Sequence, residues 1–179
     1  MKVDKKIINK LGLIEDKKAK SKTFFFKKNK KNIIFNKKHI NFLKKYNLNT
    51  KSDIRICLHK NIQSIDQNMI LIQNRNNFYP PHKHLLCGDT YHIIEGKLLV
   101  CFFSKNGKII EKNILSKNQI FKTPPNVYHS TKPLTKSVIF HESRAGKFIR
   151  GKSSLFPAWC PKTEVEKKIF NKKLLNEKI

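Results

Sequence analysis

The pattern of apolar and polar positions divides the chain into three stretches. From residue 53 onward, short apolar runs rich in Ile, Val and Phe alternate with Asn, Gly, Pro and Lys, the texture of strands joined by tight turns. It predicts strands at 54–59, 67–74, 79–84, 89–95, 97–104, 108–115, 119–123, 127–131 and 136–142. So many short strands in roughly 90 residues make a sandwich or barrel. The clearest local signal is Lys105-Asn106-Gly107-Lys108, between Leu98-Leu99-Val100-Cys101-Phe102-Phe103 and Ile109-Ile110. Asn-Gly supplies the positive φ angles of a tight hairpin turn.

The flanks read differently. Residues 1–52 form a Lys-rich extension in which Phe24-Phe25-Phe26 is either part of a tail or an edge strand. Residues 37–46, KKHINFLKKY, set Ile40, Leu43 and Phe42 against lysines, as in a short amphipathic helix that leaves His39 on the surface. The barrel takes residues 53–145. The C-terminal segment, 146–179, is irregular around Gly146, Gly151, Pro157 and Pro161, then helical from about Thr163 to Asn176, with Thr163 and Glu166 as a capping box. Trp159 is expected to pack this segment onto the barrel.

Composition changes the picture in two ways. The hydrophobic fraction of 39% supports a folded core, and the formal charge of +27 raises nucleic acid as a partner. Only four of the 39 basic residues are arginine, however, whereas phosphate recognition favours Arg. Lys, Asn and Ile are inflated together while Ala occurs three times, the mark of AT-rich codon usage, so nucleic acid ranks last among the partners. Cys57, Cys87, Cys101 and Cys160 form no C-x-x-C pair and read as reduced structural thiols. Met1 to Leu13 lacks the apolar core of a signal peptide, and no run approaches the roughly 20 apolar residues of a membrane span. The expected setting is the cytoplasm.

Candidate chemistry concentrates at Pro81-His82-Lys83-His84. On a strand, residues i and i+2 share a face, so His82 and His84 present both imidazoles to one point. Asp89 follows His84 by five residues and Gly96 follows Asp89 by seven, while Pro124, Asn126 and His129 repeat a second spacing. Asn76, His82, His84, Asp89 and Gly96, then Asn118, Pro124, Asn126 and His129, together resemble the two signature motifs of the cupin superfamily. Asn stands where those motifs have Gly at 76, 118 and 126, and Asn is the non-glycine residue that best tolerates a left-handed backbone. Asp89 stands where they have Glu, one methylene longer.

The wider context resembles the WbuC family of cupin fold metalloproteins over residues 54–161, through Arg55-Ile56-Cys57-Leu58-His59, Phe78-Tyr79-Pro80-Pro81-His82-Lys83-His84, Tyr91-His92-Ile93-Ile94-Glu95-Gly96, Phe140-His141-Glu142 and Phe156-Pro157-Ala158-Trp159. The resemblance implies a mainly β, single-domain cupin: a double-stranded β-helix, or jelly-roll barrel, with short helical N- and C-terminal extensions. It also implies a divalent metal (Fe, Mn, Zn, Ni or Co) on His82, His84, Asp89 and His129, a homodimer, and a sugar or sugar-nucleotide ligand in surface polysaccharide biosynthesis. Three readings stay open: a metal-dependent isomerase, a metal-dependent dioxygenase, and a non-catalytic metal- or sugar-binding module. Catalytic candidates are His141 and Tyr91. Alternation puts Tyr91 on the inward face with Asp89 and His92 on the opposite one, Glu142 accompanies His141, and Arg55 with His59 are candidate contacts for an anionic substrate.

Overall fold

The computed structural model describes residues 5–19, 21–28, 32–50, 52–149 and 151–177, so the first four residues of the N-terminal stretch read above lie outside the described ones. Its elements run α1 (Lys5–Lys10), β1 (Leu13–Glu15), β2 (Lys22–Phe26), α2 (Lys37–Thr50), β3 (Ile54–Cys57), β4 (Asp66–Asn74), β5 (Thr90–Glu95), β6 (Leu98–Phe103), β7 (Ile109–Leu115), β8 (Ile120–Lys122), β9 (Tyr128–Pro133), β10 (Ser137–Ala145) and α3 (Glu164–Asn176). One sheet has the order β1-β2-β3-β4-β10-β5-β8, and a second, β7-β6-β9, faces it. This is a mainly β jelly roll of two facing sheets with short helical extensions, the fold class expected above.

Strand alternation sorts the apolar residues into three layers. Cys57, Met69, Leu71, Tyr91, Ile93, Val138 and Phe140 of the large sheet meet Leu98, Val100 and Phe102 of the small one inside the barrel. The intervening residues, including Ile54, Ile56, Ile70, Ile72 and Ile139, face outward and pack with Phe42, Leu43 and Tyr46 of α2. On the other side, Leu99, Cys101 and Phe103 pack with Phe170 and Leu174 of α3. With both faces covered, all six residues of β6 are buried. Burying a large apolar side chain is worth about 1.5–3 kcal/mol, so β6 is the most strongly held strand of its sheet.

The lysine-rich stretch is part of the sheet. Phe24 and Phe26 are buried, Phe24 meets Phe42 edge-to-face at 5.2 Å between ring centroids, and β2 runs parallel to β3. The edge is β1 instead. The helix at 37–46 extends to residue 50, and its buried positions 39, 42, 43, 46 and 47 follow a helical stripe. His39 lies in that stripe and is 6% exposed, stacked on Phe35, rather than at the surface.

Eight of the nine expected barrel strands form. At 79–84 there are only isolated bridges, His82 with His129 and Lys83 with Leu155, because Pro80 and Pro81 have no N–H to donate to a ladder. The hairpin at 105–108 forms with Gly107 alone at positive φ (85°), as a turn closed by Gly107 N–H on Ser104 O. Trp159 covers that glycine, a Cβ on which would sit 2.9 Å from the indole, and its Nε1 donates to Lys105 O. Thr163 and Glu166 make the expected capping box on α3.

Asn118 (φ 68°) and Asn126 (φ 60°) adopt the left-handed conformation expected of them, whereas Asn76 does not. Asn118 is exposed and sits third in the turn Ser116–Gln119. Replacing it with Gly should leave stability within about 0.5 kcal/mol, while Asn118→Val should cost about 1–2 kcal/mol by urea unfolding, the strain of a β-branched residue at positive φ. Equal midpoints for the two variants would show that the turn relaxes.

Candidate metal centre

At one end of the barrel, three imidazoles and one carboxylate converge. His82 and His84 come from the segment after Pro81, Asp89 from just before β5, and His129 from β9. One donor atom of each lies within 4.8 Å of those of the others. His84 Nε2 stands 3.0 Å and His129 Nε2 3.3 Å from Asp89 Oδ2. The Asp89 side chain therefore reaches the centre although it is a methylene shorter than Glu.

The backbone sets the tautomer of each ring. His82 Nδ1 donates to Pro80 O at 3.0 Å, His129 Nδ1 to Val127 O at 3.0 Å, and His84 Nδ1 to Ser153 O. A carbonyl can only accept, so each neutral imidazole carries its proton on Nδ1 and turns an unprotonated Nε2 inward. Three nitrogen lone pairs and a carboxylate then face one another with no hydrogen of their own to place between them, and Asp89 Oδ1 is buried with no hydrogen-bond partner. A cation resolves that conflict. Two ligands about 2.1 Å from one ion and about 90–100° apart stand roughly 3.0–3.2 Å from each other, close to the two spacings to Asp89 Oδ2, so this donor set can hold a metal ion.

Local structure holds the carboxylate in place. Asp89 N–H donates to Thr123 Oγ1 at 2.8 Å and Thr123 N–H to Asp89 O at 2.9 Å. Gly88 precedes it in close contact, since a Cβ there would fall 1.7 Å from Thr123 O. Tyr91 Oη donates to Asp89 Oδ2 at 3.2 Å. Burial raises the Asp89 carboxyl, but in the metal-free state hydrogen bonds and charge from protonated His129 and His84 outweigh it and hold the group well below the usual carboxylate range. Burial, followed by the Asp89 charge, pushes Tyr91 well above its ordinary value.

The two catalytic candidates part company. Tyr91 is in the pocket, whereas His141 is not: in β10, Glu142 pairs across from the inward Tyr91, while His141 pairs with the outward His92. The inward member of the pair is Glu142, which burial and the Asp89 charge push up to about 7 against the pull of Arg55 and Arg144. His59 turns to the backbone of β4, with Asn68 N–H donating to its Nδ1 at 3.0 Å. The residue that sequence reading missed is Arg144, whose Nη1 lies 2.9 Å from both ring nitrogens of His84 and 3.9 Å from Asp89 Oδ1. Its place two residues after Glu142 on one strand was the available signal.

No family model matches the chain. Over 62 residues it is 36% identical to the Arabidopsis thaliana protein named "Probable germin-like protein subfamily 2 member 5", a stretch covering 35% of this chain and 29% of that protein. The chain thus spans under a third of the curated relative it matches. Among solved structures, it is similar to the capsular polysaccharide assembling protein CapF of Staphylococcus aureus (15% identity, TM-score 0.49, covering 59% of this chain and 31% of that one). It is also similar to the Cnp3 cupin domain of Schizosaccharomyces pombe (17% identity, TM-score 0.44, covering 53% and 65%). Among the described residues, no helix is long and apolar enough to cross a membrane.

The buried rings make the metal-free protein sensitive to acid. Burial, then the neighbouring His129, lowers His82 from 6.5 to about 4. The unfolded chain therefore binds the extra proton first, so this contribution is complete above pH 6.5 and lost as pH falls through 4. The urea midpoint of metal-free protein should drop across that window. In His82→Gln the drop should be smaller by about 2 kcal/mol, allowing for partial exposure; identical pH profiles would contradict the assignment.

Proposed function

We propose that the chain is a cupin fold metalloprotein of the WbuC kind, which holds one divalent ion on Nε2 of His82, His84 and His129 and the carboxylate of Asp89. In this reading it acts in the cytoplasm on a sugar or sugar-nucleotide of surface polysaccharide biosynthesis. The observation that carries the metal assignment is the convergence of a carboxylate and three imidazole Nε2 acceptors whose ring protons are committed to backbone carbonyls. Three imidazoles and a carboxylate suit Fe, Mn, Zn, Ni or Co and leave coordination positions open. An ion held there supplies Lewis-acid polarisation of a bound oxygen.

The chain's own residues supply the rest. Tyr91 orients Asp89 through its hydroxyl, and Glu142 faces the pocket with a carboxyl raised toward neutrality, able to take up or return a proton at a bound ligand. That combination favours isomerisation over simple binding. A homodimer would cover apolar surface such as Leu86, which is 96% exposed between His84 and Asp89.

Elemental analysis of protein purified without chelators or a histidine tag tests the centre. Wild type should carry near-stoichiometric divalent metal, and the His82→Ala/His129→Ala double variant less than about a tenth of it, since each lost ligand weakens the site severalfold or more. Full occupancy in a folded double variant would refute the assignment.

A further inference from the structure

The chain has 35 lysines and four arginines, and two of those four, Arg55 and Arg144, stand inside the barrel at the end that holds the candidate metal centre. Arg55 pairs across from the inward Leu71 on β4, and Arg144 follows the inward Glu142 by two residues on β10. Neither is engaged by a carboxylate at hydrogen-bonding distance among the described residues. Arg55 Nη1 has Met69 Sδ at 3.7 Å, and Arg144 Nη1 stands 3.9 Å from Asp89 Oδ1.

The polar neighbour of Arg144 is a poor match for it. The Nδ1–H of His84 is committed to Ser153 O, and Nε2 points into the donor cluster. A guanidinium has five N–H donors and no acceptor, and here its Nη1 lies equally far from both ring nitrogens, over the ring. Its side chain is 12% exposed, so part of the guanidinium is open to a ligand from solvent. A cation on the four donors would repel it toward solvent. Arg55 and Arg144 at least balance Asp89 and the partly protonated Glu142, so the two positive charges of a divalent ion are left without counter-charge among these groups.

We propose that Arg144, backed by Arg55, makes this pocket the receptor for an oxyanion on the ligand, a carboxylate or phosphate that lies beside the metal and is gripped by the planar guanidinium fork. This rests on the metal-centre reading above and narrows its ligand from sugars in general to acidic or phosphorylated ones. Arg is suited to the task because its fixed donor geometry matches two oxygens of one oxyanion, which a lysine ammonium cannot do. The positive exterior, +27 over the chain, draws such ligands toward the barrel.

The test is calorimetric titration of metal-loaded full-length protein with glucuronate, glucose 1-phosphate and glucose, which carry a carboxylate, a phosphate and neither. At least one acidic probe should bind about tenfold or more tightly than glucose, and which one does so distinguishes carboxylate from phosphate. That advantage should vanish in Arg144→Gln and be only partly restored in Arg144→Lys. Should Arg144→Gln shed its metal, Arg55→Gln, which lies against Met69 rather than the donors, decides by the same loss. Glucose binding as tightly as both acids, no binding of either acid, or an advantage that survives both Gln variants would overturn the proposal. Metal analysis of the same samples separates the failures: wild type without metal removes the metal centre, and metal without charge preference removes only the oxyanion site.

Discussion

The structure turns on three imidazole lone pairs and a carboxylate aimed at one another between two facing sheets. Each such group costs free energy to bury unless it is paired, and like acceptors cannot pair with one another. The fold sustains the arrangement by fixing the outer nitrogen of every ring on a backbone carbonyl, at Pro80, Val127 and Ser153. Those carbonyls belong to three separate segments, so the centre ties together the loop before β5, the approach to β9 and the segment after β10.

The two sheets make that convergence possible by being rigid where the site is not. β6 is buried on both faces and pairs with β9, which sets His129 across from Phe102. The bridge from His82 to His129 then brings the Pro80-Pro81 segment against β9 without a full strand, His82 N–H donating to His129 O and the reverse. A regular strand would have carried its ladder onward. Two prolines keep it from extending back before His82, and beyond the bridge at Lys83 the chain turns His84 and Asp89 into the same cavity.

The C-terminal segment is part of the site. Ser153 O takes the His84 proton, Leu155 exchanges both backbone hydrogen bonds with Lys83, and Phe156 lies 6.1 Å from the His82 ring. Trp159, seated on Phe103 and over Gly107, clamps that segment to the small sheet. Helix α3 and the hairpin at Gly107 thereby bear on the geometry of a histidine on the far side of the sandwich.

The sequence by itself determined the class of fold, most strand positions, the capping box of α3, the left-handed turns at Asn118 and Asn126, and the four residues that meet in the cavity. The strands, turns, cap and the His82/His84 pair depend on local periodicity and φ preferences that a short stretch of chain carries in full, whereas Asp89 and His129 entered through the resemblance to the cupin motifs. Only the tertiary structure decided that Phe24 and Phe26 belong to the large sheet, that His39 is buried, that Glu142 rather than His141 faces the pocket, and that Arg144 lies on the His84 ring. These depend on which neighbour covers a face. The parity of a strand says that two residues point oppositely, and only the packing of one sheet on another says which direction is inside.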